Sequence, residues 1–226
     1  GIQEPSLMAT HLIQDANNYH KPLQLVSFDM EKAFDRVSHK VILQALRAFG
    51  VPEILIMAIQ HYTLIGYAYV EVNGRPGILI TVCTGSGQGD PISSILFLIA
   101  KEPLNFILAS AFPHLMYRSE EGIRVGAILY ADDNLTPLSL ENALQVQPIL
   151  DLYSEYTGVS GLNINLNKTT ALCINTPPEV VEGLRALGME TPDQVKHLGL
   201  QLGVDINETV TRTMAAIEPK HIKRRI

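Results

Sequence analysis

Cysteine is scarce in this sequence, and no long apolar run occurs. Only Cys83 and Cys173 are present in 226 residues, and neither lies near a second cysteine or a histidine at metal-ligand spacing. This scarcity excludes a disulfide framework and a zinc knuckle. The longest apolar stretch, Pro91–Ala100, is well short of the ~18 residues needed to cross a bilayer. We therefore expect no membrane-spanning segment and no membrane partner.

Charged residues are also few, and acidic residues outnumber basic ones. They make up 18% of the chain, below the ~25% typical of soluble domains, whereas hydrophobic residues make up 46%. This composition excludes intrinsic disorder and is sufficient for a hydrophobic core. The chain has 17 Lys and Arg against 23 Asp and Glu, a net charge of -6. Taken alone, this balance argues against a nucleic-acid-binding protein, which usually has a basic surface.

Several short runs of β-favouring residues predict strands. Leu23–Phe28 is such a run and ends at Asp29. Asn73-Gly74 favours a tight hairpin turn, although Pro76 close by predicts a longer loop. The strands are interspersed with helices in no regular alternation, so we expect a mixed α+β fold rather than a Rossmann fold.

Capping residues mark the start of the predicted helices. Ser38 is a good N-cap, since its hydroxyl can accept a hydrogen bond from a free backbone amide of the helix that follows. Asp90-Pro91 begins a strongly apolar helix that reaches about Leu108. A further helix is predicted from about Leu140 to Tyr156.

Two acidic positions stand out because each follows a β-favouring run. Asp29 follows one strand, and Asp132-Asp133 follow another that ends at Tyr130. A carboxylate at a strand end is desolvated unless it has a partner, and a hard divalent cation is a suitable partner for several carboxylates. The alternative is that Asp-Asp is ordinary turn chemistry, which we would favour for an isolated pair.

Five motifs in order favour the metal-binding interpretation. The sequence resembles the reverse transcriptases of non-LTR (LINE-type) retrotransposons: Phe28–Asp35 looks like their motif A, Gln88–Ser93 like motif B and Tyr130–Asp133 like motif C. Gly161–Thr169 is similar to motif D, and His197–Gly199 stands where motif E, the primer grip, begins. The resemblance covers most of the chain and implies a polymerase palm, an antiparallel sheet backed by helices, with partial fingers and little of the thumb.

The resemblance implies a role for each acidic residue. Asp29 and Asp132 would be the catalytic carboxylates that bind two Mg²⁺ ions, or Mn²⁺ in their place, with the Met30 carbonyl as a further metal ligand. Asp133 would be a supporting acid in the same metal and catalytic site. Lys168 matches the motif D lysine that neutralises or protonates the leaving pyrophosphate, although it also fits a solvated hairpin charge.

Three further positions would bind the incoming nucleotide. Phe34 stands at the family's steric-gate position against a ribose 2′-hydroxyl, although it also fits ordinary core packing. Gln88 would lie near the nucleotide and the template base, and Gly89 would allow close backbone approach because it has no Cβ. The sequence departs from the usual family pattern at Gly87 and Asn134, which puts nucleotide affinity in question but removes no metal ligand.

The resemblance also divides this reverse transcriptase domain fragment into segments. In order, we expect a leading fingers or linker segment (1–22), palm with motif A (23–37), fingers (38–84), palm with motifs B to E (85–203) and the start of the thumb with a basic tail (204–226). The remaining fingers and thumb, or other polyprotein domains, are expected to be needed for full function.

The function implied is that of an RNA-directed DNA polymerase, a nucleotidyltransferase. Its partners would be an RNA template, a DNA primer and deoxynucleoside triphosphates, and its location would be intracellular, in the nucleus or a ribonucleoprotein particle. A second hypothesis is a non-catalytic palm that acts as an RNA-binding or assembly module. A third, an RNA-templated RNA polymerase, is disfavoured by Ala131 before the acidic pair and by the bulky Phe34.

The acidic balance is compatible with this function because of where the charges lie. Residues 101–200 carry 6 basic and 12 acidic groups, whereas residues 201–226 carry 5 and 3. Metal ions would neutralise part of the central excess, and basic groups that bind phosphate concentrate in the tail. We therefore expect this stretch of chain to bind a template weakly by itself.

Overall fold

The computed structural model describes residues 3–64, 66–86, 91–130, 133–197 and 200–203. The α-helices are α1 (Gln3–Tyr19), α2 (Ala33–Arg36), α3 (His39–Ala48), α4 (Glu53–Ile59), α5 (Ser93–Ala111), α6 (Gln147–Ser160) and α7 (Pro178–Ala186). The strands are β1 (Leu23–Ser27), β2 (Met30–Glu31), β3 (Gly66–Val72), β4 (Arg75–Val82), β5 (Ile128–Tyr130), β6 (Asp133–Leu138), β7 (Asn163–Ile164), β8 (Thr170–Ile174), β9 (Gln194–His197) and β10 (Leu200–Gly203). Antiparallel strands and helices in this order confirm the predicted α+β class.

The chain folds into two compact units. The first, here called the sheet unit, contains the described residues of Gly1–Asp29, Leu108–Leu150 and Asn165–Ile226. The second, here called the hairpin unit, contains those of Met30–Ile107 and Asp151–Ile164. The boundary thus falls inside motif A, directly after Asp29.

The sheet unit is built on four antiparallel strands in the order β5-β6-β1-β8. Strand β1 lies in the interior of this sheet, and its residues Leu23 to Val26 are all fully buried. The polar Gln24 is tolerated in this buried strand because its side chain donates to the Thr176 hydroxyl at 2.9 Å and accepts from the Leu140 amide at 2.7 Å. One face of helix α1 packs against the sheet. Its buried residues recur at helical spacing: Ala9, Leu12, Ile13 and Ala16.

The hairpin unit takes its name from the antiparallel pair β3 and β4. Asn73 and Gly74 both have positive φ, 52° and 74°, so the strands are joined by the two-residue turn that Asn-Gly favours. The longer loop predicted from Pro76 is wrong, since Pro76 lies within β4 opposite Glu71. Proline is tolerated here because β4 is an edge strand of a two-stranded sheet and an edge need not donate a hydrogen bond on its outer side.

Two helix predictions need correction. Helix α3 does begin directly after Ser38, but the Ser38 side chain makes no capping hydrogen bond. The helix predicted from Leu140 to Tyr156 begins later, as a 3₁₀ turn over Ala143–Val146 that continues into α6. Asn142 and Gln145 form a capping box at that point, which satisfies the first free amides and fixes where the helix starts.

Helix α5 is long and apolar enough to cross a membrane by length and composition alone. One such helix is weak evidence, since the core helix of a soluble protein passes the same test. Leu96, Phe97, Ala100 and Leu104 on this helix are each at most 1% exposed, and so is Lys101 in its middle. The expected absence of a membrane partner stays a prediction, as does the thumb segment, because residues 204–226 lie outside the described part of the chain.

Candidate active site

The sheet unit brings two of the predicted acidic residues level with each other. In the β1–β6 ladder Ser27 lies opposite Leu135, and the Phe28 amide donates to the Asn134 carbonyl at 3.3 Å. Asp29 and Asp133 are the next residues on the two segments beyond this hydrogen bond. Asp29 is half-buried and Asp133 is exposed. Asp132 lies outside the described residues.

The carboxylate chemistry of this edge fits a hard divalent cation. No cationic side chain in the described part of the chain pairs with Asp29, and a half-buried carboxylate is costly without a partner. Among the described residues no three acidic, histidine or cysteine side chains are grouped closely enough to hold a metal ion. The third carboxylate of the predicted set is Asp132, so a complete metal site stays a prediction.

His197, where motif E begins, is a buried neighbour of the acidic pair. It is 4% exposed and its Nε2 has no hydrogen-bond partner among the described residues. Burial lowers the pKa of His197, and the negative charge of Asp133 acts in the opposite direction. The imidazole of His197 therefore lies close enough to Asp133 to interact with its charge. Its position at the head of motif E was the only sequence signal for it.

Motif D is attached to motif A through the backbone of Asp29. The Asn165 amide donates to the Asp29 carbonyl at 2.9 Å, and the Asn165 carbonyl accepts from the Lys168 amide at 3.0 Å. The buried Thr169 hydroxyl donates to the same Asn165 carbonyl at 3.0 Å. These bonds hold a 3₁₀ turn over Leu166–Lys168, and the Lys168 side chain is exposed on it.

In the hairpin unit, the segment just before motif B and the start of motif D pack on one turn that includes the end of motif A. The turn Lys32–Arg36 follows Met30, which is buried and pairs with Ile164. Gly85, just before motif B, packs so closely that a Cβ there would lie 3.0 Å from the Asp35 carbonyl oxygen. Gly161, the first residue of motif D, packs closer still: its Cβ would lie 2.5 Å from the Arg36 carbonyl oxygen. Both glycines also have positive φ, so two separate constraints exclude larger residues.

Phe34 is half-buried and held on two sides. Its ring packs on that of Phe97, with centroids 4.7 Å apart and planes inclined at 37°. Its carbonyl accepts from the Ser86 amide at 2.8 Å. The core-packing interpretation of Phe34 is therefore correct for one face of the ring. Phe97 was missed by the sequence reasoning, because nothing distinguishes it within an apolar helix.

The segment that leads into motif B is fixed by polar contacts. His39 Nε2 donates to the Gly85 carbonyl at 2.7 Å. Ser86 is 2% exposed, and its hydroxyl has no partner among the described residues. Gln88 and Gly89, the predicted nucleotide-binding residues of this motif, lie outside the described part of the chain.

The ordered motifs and this geometry agree with the comparison to known families. Residues 1–202 match the family described as reverse transcriptase (RNA-dependent DNA polymerase). The chain belongs to the reverse transcriptase family. The matched residues include all five motifs and end before the basic tail.

The similar proteins confirm the LINE-type resemblance of this reverse transcriptase domain. The chain is 30% identical over 170 residues to a Pol polyprotein of the retrotransposable element R2 of Popillia japonica, covering 75% of this chain and 27% of that protein. It is 26% identical over 184 residues to the R2DM Pol polyprotein of Drosophila melanogaster, covering 79% and 16%. R2 elements are non-LTR retrotransposons. The chain thus spans about a quarter or less of the length of these relatives.

Solved structures with the same fold are telomerases. Apo telomerase from Candida tropicalis, truncated from its C-terminal domain, aligns with a TM-score of 0.59 at 13% identity, over 88% of this chain and 38% of that one. Telomerase from Candida albicans in complex with an RNA fragment aligns with a TM-score of 0.57 at 14% identity, over 88% and 32%. At such low identity the likeness shows the fold alone, and it confirms the predicted reverse transcriptase fold.

Proposed function

We propose that this domain is the catalytic palm of an RNA-directed DNA polymerase, which adds deoxynucleotides to a primer 3′-hydroxyl by two-metal phosphoryl transfer. The observation that carries the proposal is the register of β1 and β6. It supports the proposal because Asp29 and Asp133, the residue that directly follows Asp132, are the next residues beyond the last hydrogen bond between the two segments. Two carboxylate-bearing motifs from distant parts of the sequence therefore meet at one edge of the sheet.

Each residue of this edge has a defined task in the proposed reaction. Asp29 and Asp132 would hold the metal ions, with the Met30 carbonyl and Asp133 as further oxygen ligands, and the proton of the attacking hydroxyl would pass to solvent. Two Mg²⁺ ions bound there would activate the attacking hydroxyl and stabilise the charge that develops on the leaving pyrophosphate. Lys168, exposed on a turn tied to the Asp29 backbone, supplies a positive charge or a proton to that pyrophosphate.

The nucleotide would be selected by residues of motifs A and B. Phe34 presents the exposed part of its ring to the sugar and excludes a ribose 2′-hydroxyl. Gln88 would lie near the nucleotide and the template base, and Gly89 would allow the protein backbone to approach the nucleotide closely. The RNA template and DNA primer would be bound mainly by other segments of the parent polyprotein, because the relatives are several times longer than this chain.

Primer extension on an RNA template in Mg²⁺ tests the proposal. We expect extension by the wild-type chain and a loss of about 100-fold or more in Asp29→Asn and Asp132→Asn, since each variant removes a group that stabilises transition-state charge. Asp193→Asn is the matched control, because Asp193 is exposed and lies outside the motifs. Wild-type activity no greater than that of Asp132→Asn would contradict catalysis. Tight, metal-independent RNA binding without extension would instead support a non-catalytic RNA-binding module.

A further inference from the structure

Phe34 is supported from behind by a second aromatic ring. The ring centroids of Phe34 and Phe97 are 4.7 Å apart, in the range at which tilted aromatic pairs attract each other. Phe97 is 0% exposed, whereas Phe34 keeps part of its surface open. One ring of the pair is thus fully enclosed, and the other rests on it at the boundary with solvent.

Phe97 itself has little freedom to move. It lies in the first half of α5, next to the buried residues Leu96 and Ala100. The Lys101 ammonium lies 5.7 Å from the centre of the Phe97 ring, one helical turn away. Lys101 is 0% exposed, so its charge is held near the ring in a desolvated environment, where attraction between a cation and an aromatic face is strongest. Burial and the contact with Lys101 therefore restrict the position of the Phe97 ring.

The backbone of Phe34 is fixed as well. The Ser86 amide donates to the Phe34 carbonyl at 2.8 Å. Gly85 approaches so closely that a Cβ at that position would lie 3.3 Å from the same carbonyl oxygen. With its backbone held in this way, Phe34 changes position mainly by rotating its side chain, and the Phe97 ring packs against that side chain.

We propose that Phe97 is a specificity-determining positioning residue that selects deoxyribonucleotides by holding the Phe34 ring in place. The inference rests on the proposed function, in which the exposed part of Phe34 meets the sugar. If the support is removed, the Phe34 ring moves back into the space that is vacated, and a ribose 2′-hydroxyl then fits. Phe97 acts only through Phe34 and does not touch the nucleotide.

The test compares ribonucleotide with deoxyribonucleotide use in four variants of the chain. Phe97→Leu keeps the site apolar but removes the ring, and Phe97→Tyr keeps the ring. Phe34→Ala removes the gate, and the fourth variant combines Phe34→Ala with Phe97→Leu. The readout is the ratio of ATP to dATP incorporation in primer extension, together with the ratio of cross-linking by 8-azido-ATP and 8-azido-dATP on the same template–primer. Both ratios are independent of the folded fraction, so a loss of stability alone cannot change them.

We expect Phe97→Leu to raise both ratios by up to about tenfold, which corresponds to the loss of one aromatic pair. Phe97→Tyr should keep the wild-type ratios. In the Phe34→Ala background, Phe97→Leu should not change the ratios further, because the Phe34 ring that Phe97 supports is already absent. Leu104→Ala is the matched control: Leu104 is equally buried, on the same face of α5 and about 10 Å further along it, and its replacement should leave the ratios unchanged.

Several results would overturn the proposed role of Phe97. They can be distinguished from results that contradict the proposed catalysis. Unchanged ratios in Phe97→Leu, or the same change in the Phe34→Ala background, would overturn it even where extension is normal. A changed cross-linking ratio without any extension would support it while contradicting the proposed catalysis. Absence of cross-linking by both nucleotides would overturn both.

Discussion

Replacing Gly161 with alanine should destabilise the protein more than the same substitution at a glycine whose surroundings are open. Gly161 has a φ of 77°, and a Cβ there would lie 2.5 Å from the Arg36 carbonyl oxygen. Backbone atoms of a hydrogen-bonded turn cannot move aside as a flexible side chain can. The alanine variant therefore has to shift the chain at the point where motif D packs on motif A.

Two other glycines allow the loss of stability in Gly161→Ala to be separated into backbone strain and overpacking. Gly188 has a φ of 90° but open space around its Cβ position, so Gly188→Ala should cost only the left-handed strain of about 1–2 kcal/mol. Gly158 lies inside helix α6, also in open space, and Gly158→Ala should stabilise by about 0.5–1 kcal/mol because alanine favours helix. Gly161→Ala carries the strain and an overpacking cost of about 1–3 kcal/mol, a total of about 2–5 kcal/mol.

Urea unfolding followed by circular dichroism measures the three free energies of unfolding under one set of conditions. The predicted order of stability is Gly158→Ala, wild type, Gly188→Ala and Gly161→Ala, from most to least stable. If Gly161→Ala is as stable as Gly188→Ala, the close approach to Arg36 is wrong. If Gly158→Ala is destabilised, the surroundings of α6 are not as open as described.

Three further predictions concern other parts of the molecule. Burial raises the pKa of the Cys173 thiol to about 11, which lowers its thiolate fraction at pH 8, so iodoacetamide should alkylate the exposed Cys83 first; equal rates by intact-protein mass spectrometry would contradict this. The Tyr117 hydroxyl donates to the Asp15 carboxylate at 2.6 Å, and Tyr117→Phe should lower the free energy of unfolding by about 1–2 kcal/mol; no measurable change in the urea midpoint would refute it. Lys168→Ala should lower kcat for primer extension by at least about tenfold if the lysine acts on the leaving pyrophosphate, whereas an unchanged kcat would leave it as a solvated charge.

The sequence predicted those features that depend on neighbouring residues. The β-favouring run before Asp29 predicted a strand, and Asn73-Gly74 predicted the hairpin turn, since each pattern encodes its own backbone conformation. The capping box at Asn142 and Gln145 is also a local signal, but the apolar pattern continues across it and led to a helix start that was too early. The capping box determines where this helix begins more strongly than the spacing of its apolar residues does.

The contacts that build the candidate site were not visible in the sequence, because they join distant segments. Nothing in the local pattern of Phe97 distinguishes it from its apolar neighbours in α5, although its ring supports Phe34. The close packing of Gly161 on Arg36 likewise depends on where two distant segments meet. Family motifs identified the acidic residues, and only the β1–β6 register shows that the segments carrying Asp29 and Asp133 run side by side.

The most direct test of the proposed polymerase site is a crystal of the chain soaked with Mn²⁺ and a non-hydrolysable deoxynucleoside triphosphate. Anomalous scattering locates the metal ions without reference to the surrounding atoms. We expect metal peaks about 2.0–2.3 Å from carboxylate oxygens of both Asp29 and Asp132, with the triphosphate bound to the same ions. A bound nucleotide with no metal between Asp29 and Asp132 would contradict it.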